Sequence, residues 1–211
     1  MKFIRYTIDG PPQWGLQQDG RVYNLATHSA GMPSLSDIAT DSYRAALRTA
    51  MARGELGSTA LEGVRRRAPV AAPGQIICVG LNYHDHAQEQ GDEPPDSPLL
   101  FGKSPSTVTN PGDPIVHPTA VDEVDYEVEL GIVIGRRASG VPAARAREYI
   151  AGYTIVNDVS ARDAQFDDGQ FFRGKSYDTF APMGPALVTG DGFDPNAAAM
   201  ALHVNDEQKQ D

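Results

Sequence analysis

The run DYEVELGIVIG at residues 125–135 constrains the fold of this 211-residue chain more than any other stretch. Side chains alternate between the two faces of an extended strand, so Asp125, Glu127 and Glu129 are predicted to line one face of a β-strand. Every position of the segment 132–134 is apolar. A continuous apolar run predicts that this end of the strand is covered on both faces.

The three carboxylates on one strand face have two explanations. Carboxylates two residues apart on a strand lie roughly 7 Å apart, and at an effective dielectric constant of about 20 they repel each other by about 2 to 3 kcal/mol. Open water removes most of that cost, so a solvated strand face is one explanation. The other is a bound cation, and oxygen ligands suit a hard ion such as Mg²⁺, or Mn²⁺ or Ca²⁺.

The charge balance argues against nucleic acid or an anionic membrane surface as a partner. The chain has 28 Asp and Glu residues against 18 Lys and Arg residues, whereas phosphate binding needs clustered Lys and Arg. The one basic cluster, RRR at residues 65–67, is predicted to lie in a linker. No apolar stretch approaches about 18 residues, and the N-terminus lacks the apolar core of a signal peptide. We therefore expect a cytoplasmic protein.

The single cysteine excludes a disulfide within the chain. Cys78 stands in the apolar run IICVG, which predicts a small core residue rather than a nucleophile.

Turn residues and prolines predict two units. KFIRYTID and WGLQQDGRVYNLA have the composition of strands and flank a Gly-Pro-Pro turn. Residues 34–53 are rich in helix formers and begin with Ser-x-x-Asp, a helix-start signal. The prolines and glycine of residues 65–75 mark a boundary near residue 72. We expect a small N-terminal α+β unit at residues 1–72 and a second domain at 73–211.

The second domain is predicted to combine strands of mixed length with few, short helices. Residues 91–107 are rich in proline and predict an irregular surface loop, and residues 142–150 predict a helix. Strands such as IICVG and GYTIVNDVS stand on either side of these segments. This pattern favours an α+β fold over a doubly wound parallel sheet.

Three further polar residues are candidates for a site. Asp158 follows the apolar run YTIV, at a strand end where functional side chains are common, although Asp is also a frequent turn former. His86 and Glu89 are three residues apart and share one face if their segment is helical. A carboxylate can orient an imidazole, so the pair is a candidate general base, with an exposed polar helix as the alternative.

The chain closely resembles the fumarylacetoacetate hydrolase family, especially its short bacterial acylpyruvate hydrolase and hydroxymuconate isomerase-like members. The resemblance covers about residues 73–211 and rests on five motifs in order: ICVGLNYHDHAQE, LLFGKSPST, VDYEVELGIVIG, IVNDVSARDAQF and FFRGKSYDTFAPMGP. It implies the mixed β-sandwich roll of that family, with a small N-terminal α+β unit. Family members continue beyond the strand and turn at 201–211, so we expect the C-terminal part of the roll to be missing.

The resemblance also implies roles for nine residues. Glu127, Glu129 and Asp158 match the ligands of a divalent metal, Mg²⁺ or else Mn²⁺ or Ca²⁺. The catalytic residues implied are His86, Glu89 and Lys175, the first two as the pair that activates water. The substrate-side contacts implied are Arg162, Gln165 and Lys103.

The implied activity is metal-dependent hydrolysis of a carbon–carbon bond in a β-diketo acid, an acylpyruvate or a fumarylpyruvate-like compound, in aromatic or amino-acid catabolism. A 2-oxo acid can chelate Mg²⁺, and fixed positive charge can stabilise the enolate that leaves. The same chemistry serves an isomerase or decarboxylase of 2-oxo and hydroxymuconate-type acids, or a ureidoglycolate lyase. A metal-binding but inactive fragment is the alternative outside enzymes. The resemblance also implies a homodimer.

Overall fold

A computed structural model of the chain describes residues 1–28, 31–83, 91 and 95–210. Strands dominate it. The strands are β1 Lys2–Thr7, β2 Gln13–Gln18, β3 Arg21–Asn24, β4 Ser58–Ala60, β5 Arg65–Arg67, β6 Ile76–Gly80, β7 Leu99–Lys103, β8 Val108–Thr109, β9 Val124–Asp125, β10 Val128–Ile134, β11 Ile150–Asn157, β12 Ser160–Ala161, β13 Ala181–Val188, β14 Leu202–Val204 and β15 Glu207–Gln210. The helices are α1 Leu35–Ile38, α2 Asp41–Ala52, α3 Arg162–Asp167 and α4 Phe172–Lys175.

One large sheet contains strands from both ends of the chain. Its order is β10-β11-β13-β1-β2-β3-β4, with β5 paired to β1 and β8 paired to β13. The pairing of β8 with β13 is parallel, and the other pairings in this sheet are antiparallel. Strands β6 and β7 form a separate antiparallel pair. This architecture confirms the predicted α+β class.

The predicted linker at RRR is instead strand β5. Its residues 65–67 pair with Arg5, Tyr6 and Thr7 of β1, while the start of β1 pairs with β13. One edge of β1 is therefore shared between two partners. The division of the chain near residue 72 stays a prediction. Strand β1, which precedes residue 72, pairs with β13, which follows it, so one sheet contains strands from both sides of the division.

The main core lies where α1 and α2 cover this sheet. Its buried apolar side chains come from β1, β2, both helices and the strands β10, β11 and β13, together with Leu25 directly after β3. The predicted helix 34–53 is two helices that meet at Ala39 and Thr40. The Ser-x-x-Asp start is confirmed, because the Ser34 side chain accepts from the backbone of Asp37 and the Asp37 carboxylate accepts from the backbone of Ser34.

The prediction that the apolar end of the acidic strand is covered on both faces is wrong. Strand β10 is the terminal strand of the sheet order, and the side chains of Ile132 and Ile134 are 54% and 55% exposed. Only Val133, between them, packs into the main core. A sequence run shows which residues are apolar, but not which neighbours a strand has.

Two other segments differ from their predicted structure. Residues 99–103 of the expected irregular loop form β7, which pairs with β6 from Ile76 to Gly80. The expected helix at 142–150 is a 3₁₀ helix, Ala143–Tyr149, followed directly by β11. Within the described ranges no helix has the length and apolar character needed to cross a membrane.

Candidate active site

The register between β10 and β11 brings two of the predicted metal ligands together. Val128 pairs with Asn157, so the residues just outside the two strands, Glu127 and Asp158, are neighbours. The backbone N–H of Asp158 donates to the carbonyl oxygen of Glu127 at 2.8 Å, and the N–H of Glu127 donates to Oδ1 of Asn157 at 3.1 Å. Both carboxylates are buried, with 7% and 4% of each residue exposed.

Lys175 bridges these two carboxylates. It is the last residue of α4, and its Nζ donates to Glu127 Oε2 at 2.7 Å and to Asp158 Oδ2 at 2.9 Å. The residue is only 2% exposed. An unpaired charge at such a position is costly, so the two carboxylates and the ammonium stabilise one another.

Lys103 holds the other oxygen of Asp158. It is the last residue of β7, and its Nζ donates to Asp158 Oδ1 at 2.5 Å and to the carbonyl oxygen of Val159 at 3.0 Å. Burial lowers the pKa of Lys103, and the charge of Asp158 opposes that shift. Lys103 therefore positions the Asp158 carboxylate from the side opposite Lys175.

Arg162 connects the strand carboxylates to α3, of which it is the first residue. Its Nη2 lies 2.7 Å from Glu127 Oε1 and 2.7 Å from Asp125 Oδ2. Its Nη1 donates to Oε1 of Gln165 at 3.1 Å. This bond fixes the orientation of the Gln165 amide, so the Nε2 donor is the end left for a ligand.

Asp125 belongs to this network, although the family resemblance implied no role for it. Both Nε and Nη2 of Arg162 donate to Asp125 Oδ2, at 2.9 and 2.7 Å. The alternation of residues along the acidic strand placed Asp125 on the face of Glu127, and that was the signal available.

Glu129 differs from the other carboxylates, because within the described residues it has no ion pair at salt-bridge distance. Burial raises its pKa to about 7, and the charges of Glu127 and Asp158 add to the shift. Lys175 and a hydrogen bond from Tyr83 oppose it. The Tyr83 hydroxyl also accepts from the backbone N–H of Leu130 at 3.3 Å. Tyr83 was not among the predicted site residues, and its only signal in the sequence was its place inside a motif.

One cavity of about 750 Å³ is lined by the predicted site residues that the structure describes. All seven described residues of the nine predicted line it: Lys103, Glu127, Glu129, Asp158, Arg162, Gln165 and Lys175. His86 and Glu89 lie outside the described residues, so their placement stays a prediction.

Apolar and aromatic side chains form the rest of the cavity wall, including Phe101, Phe171 and Met183. Cys78 also lines the cavity and is only partly buried, so its prediction as a core residue is wrong. Burial raises the pKa of the Cys78 thiol to about 12. The thiol is therefore protonated at neutral pH, which agrees with the prediction that it is not a nucleophile.

The carboxylate oxygens of the cavity are the type of ligand that a hard divalent cation prefers. Among the described residues, no group of three or more His, Cys, Asp or Glu side chains is gathered closely enough to hold a metal ion. All four carboxylate oxygens of Glu127 and Asp158 accept from lysine or arginine instead. Each carboxylate oxygen has a second acceptor position. Beside them, burial and, to a smaller extent, the charges of Glu127 and Asp158 raise the pKa of Glu129.

Comparisons with known proteins agree on one family. The family model described as fumarylacetoacetate (FAA) hydrolase C-terminal matches residues 75–211. The oxaloacetate tautomerase Fahd2a of Rattus norvegicus is 46% identical over 142 residues, which are 66% of this chain and 45% of the rat protein. The chain thus spans less than half of that relative's length.

Solved structures match over the whole chain. A fumarylacetoacetate hydrolase from Exiguobacterium antarcticum is 35% identical with a TM-score of 0.82, and the match covers 100% of this chain and 74% of that one. A 5-carboxymethyl-2-hydroxymuconate delta-isomerase from Mycobacterium smegmatis is 36% identical with a TM-score of 0.77, at the same coverage.

Proposed function

The chain belongs to the fumarylacetoacetate hydrolase family, and from that membership we propose that it is a metal-dependent hydrolase of a carbon–carbon bond in a β-diketo acid such as an acylpyruvate. The observation that carries the proposal is the single cavity that holds three buried or half-buried carboxylates together with two lysines and an arginine. Family members compared above are named as enzymes, a hydrolase and an isomerase among them.

In this proposal Glu127, Glu129 and Asp158 hold the divalent ion, Mg²⁺ or else Mn²⁺ or Ca²⁺. Such an ion polarises the carboxylate and keto oxygens of a 2-oxo acid. Glu129 adds a negative charge to this set of ligands, and within the described residues its carboxylate forms no ion pair. Burial, together with the charges of Glu127 and Asp158, would otherwise keep Glu129 partly protonated near neutral pH.

The residues of the chain provide the rest of the chemistry. Lys175 supplies fixed positive charge where the enolate develops, because its ammonium already lies in the cavity beside the carboxylates. The Nε2 group of Gln165 donates to a substrate oxygen, since its Oε1 is engaged by Arg162. Arg162 acts mainly by holding Glu127 and Gln165 in place, and Lys103 by holding Asp158.

His86 and Glu89 are proposed to activate the water that attacks the second carbonyl. This assignment rests on the resemblance of their motif, because both residues lie outside the described part of the chain. A histidine and a carboxylate together form a base of suitable pKa for that step.

Isomerisation or tautomerisation of a 2-oxo acid is the second candidate function. The relatives named as an oxaloacetate tautomerase and a hydroxymuconate isomerase favour it. Both reactions pass through an enolate, so the same charged cavity serves them, with proton transfer in place of attack by water.

A panel of three 2-oxo acids separates the two functions. The purified protein is stripped with a chelator and then incubated with an acylpyruvate, oxaloacetate or a hydroxymuconate-type diene, with and without Mg²⁺. Hydrolysis predicts Mg²⁺-dependent formation of pyruvate from the acylpyruvate. Turnover of oxaloacetate or the diene with the acylpyruvate left intact selects the second function.

A further inference from the structure

The cavity of the candidate active site combines a charged region with an apolar region. Among the described residues that line it, the charged side chains are Lys103, Glu127, Glu129, Asp158, Arg162 and Lys175. The other described side chains of the wall are uncharged, and most of them are apolar. The sheet register shows where the apolar region begins.

A row of three paired residues leads from the carboxylates into the apolar region. Glu129 of β10 pairs with Val156 of β11, and Val156 pairs with Met183 of β13. All three residues line the cavity. Neighbouring strands lie about 4.8 Å apart, so Met183 is roughly 10 Å from Glu129 across the sheet. Within that distance the cavity wall changes from a carboxylate to aliphatic and thioether groups.

The next pair along the same strands adds apolar surface. Gly131 pairs with Thr154, and both line the cavity. A Cβ atom at Gly131 would lie 2.9 Å from Cγ2 of Val156 and 3.0 Å from Cγ2 of Thr154, so methyl groups pack over the glycine. The Thr154 hydroxyl oxygen is buried and not exposed to the cavity. This side chain therefore offers a ligand no hydrogen bond.

The strand pair β6 and β7 adds aromatic surface beside the charged cluster. The rings of Phe101, in β7, and Phe171, directly before α4, meet edge to face with their centroids 5.3 Å apart. Both rings line the cavity, and the Phe101 centroid lies 5.3 Å from Lys175 Nζ. Apolar surface thus adjoins the charged cluster on the large sheet and on the β6–β7 pair.

The described part of the cavity has no unpaired lysine or arginine for a second carboxylate of a substrate. Lys103 is paired with Asp158, and Arg162 and Lys175 are paired with Glu127. The residues outside the described ranges include neither Lys nor Arg. A carboxylate that leaves water for an apolar surface without an ionic partner loses hydration energy that nothing replaces.

We propose that the substrate is a β-diketo acid with an uncharged, apolar acyl group, branched or aromatic, and that Val156, Met183 and Phe101 select it over a diacid of the same length. This inference rests on the proposed function, because it places the 2-oxo acid group at the charged cluster. The acyl group then lies against the apolar wall, where removal of its surface from water favours binding.

Two β-diketo acids of matched shape test the selection in the wild-type protein. 4-Methylpentanoylpyruvate ends in an isopropyl group, and succinylpyruvate ends in a carboxylate of similar size. In the presence of Mg²⁺, kcat/KM is expected to be about tenfold or more higher for the first compound. Hydrolysis of both compounds with equal kcat/KM, or with a preference for the diacid, overturns the selection and leaves the proposed function intact.

A lysine placed in the apolar wall provides a second test. Met183→Lys supplies a partner for a terminal carboxylate and is expected to narrow the ratio of the two kcat/KM values by about tenfold. Ile155→Lys is the matched control, because Ile155 precedes Val156 on β11, points to the opposite face of the sheet and is 48% exposed. It should leave the ratio unchanged. An equal change in both variants contradicts the role of Met183, and the wild-type ratio decides the selection if Met183→Lys does not fold.

Calorimetric binding of two 2-oxo acids that lack the cleavable bond separates this inference from the proposed function. 5-Methyl-2-oxohexanoate and 2-oxoglutarate differ by the same exchange of isopropyl for carboxylate. If the first binds about tenfold more tightly in the presence of Mg²⁺ while neither β-diketo acid is hydrolysed, the apolar selection stands and the proposed hydrolysis is wrong. If neither 2-oxo acid binds and neither β-diketo acid is hydrolysed, both are wrong.

Discussion

Replacing Glu129 with Gln is expected to stabilise the metal-free protein at neutral and alkaline pH. Glu129 is the carboxylate without an ion pair among the described residues, and its pKa is raised to about 7 by burial and by the charges of Glu127 and Asp158. Gln has the shape of protonated Glu and carries no charge. The substitution therefore removes a repulsion that the metal-free wild type experiences whenever Glu129 ionises.

The size and sign of the effect follow from the shift in pKa. The folded-state pKa is raised from 4.5 to about 7, so the contribution of Glu129 to stability is fully present below pH 4.5 and is lost as the pH rises through 7. At 1.36 kcal/mol per pKa unit, the loss at pH 8 is about 3 kcal/mol. This is an upper limit, because solvent screens part of the repulsion at a half-buried group.

Urea unfolding of both proteins in a chelator buffer, at several pH values between 5 and 8, measures the difference. The free energy of unfolding of Glu129→Gln should exceed that of the wild type by roughly 1 kcal/mol at pH 5 and by up to about 3 kcal/mol at pH 8. Saturating Mg²⁺ at pH 8 should reduce this difference, because the ion binds the wild type, which retains the charged ligand, more tightly than the variant.

Equal stability of the two metal-free proteins across this pH range would contradict this prediction. It would mean that Glu129 is solvated or paired, and that the cluster has no uncompensated charge for a metal to neutralise. A Glu62→Gln variant controls for the substitution itself, since Glu62 lies outside the cavity in a surface 3₁₀ turn.

Three further predictions concern the buried ion pair of Lys103, the proposed base His86 and the oligomeric state. Lys103→Met should lower the free energy of unfolding by about 3 kcal/mol. This value is at the low end for a broken buried ion pair, because Lys175 still holds Asp158. Urea unfolding measures the change, and a value below about 0.5 kcal/mol contradicts the buried ion pair. His86→Ala should lower acylpyruvate hydrolysis by roughly 100-fold or more while leaving Mg²⁺ affinity unchanged; full activity in a steady-state assay removes His86 from the mechanism. Light scattering at micromolar concentration should give a homodimer, as the family resemblance implies, and a monomer contradicts that expectation.

The local alternation of the acidic strand predicted more of the site than any other feature. It predicted that Asp125, Glu127 and Glu129 share one face of a single strand. The structure divides this run into β9 and β10, with Glu127 between them. All three carboxylates nevertheless reach the same cluster, with Glu127 and Glu129 in the cavity wall. Alternation depends only on the backbone of the strand itself, so a single sequence is enough to predict it.

The pairing of charges across the chain could not be predicted in this way. Lys103 meets Asp158 from 55 residues away, and Lys175 meets Glu127 from 48 residues away. Nothing in the local sequence specifies such contacts. The family resemblance selected both lysines, but their contacts with the predicted metal ligands appear only in the structure.

The errors in the fold have a common physical cause. Strand β5, with the sequence RRR, has no apolar pattern, and it forms because the edge of β1 needs hydrogen-bond partners. The apolar end of β10 suggested a strand covered on both faces, yet β10 is terminal in the sheet order. In both cases the neighbours in the sheet determine the outcome, rather than the residues of the strand.

Calorimetric titration of the chelator-treated wild type and Glu129→Gln with Mg²⁺ at pH 8 tests the proposed metal site most directly. We expect one ion per chain for the wild type, and an affinity lower by roughly tenfold or more when the charge of Glu129 is removed. Equal affinity of the two proteins, or no binding to the wild type, would contradict the assignment of Glu127, Glu129 and Asp158 as a metal site.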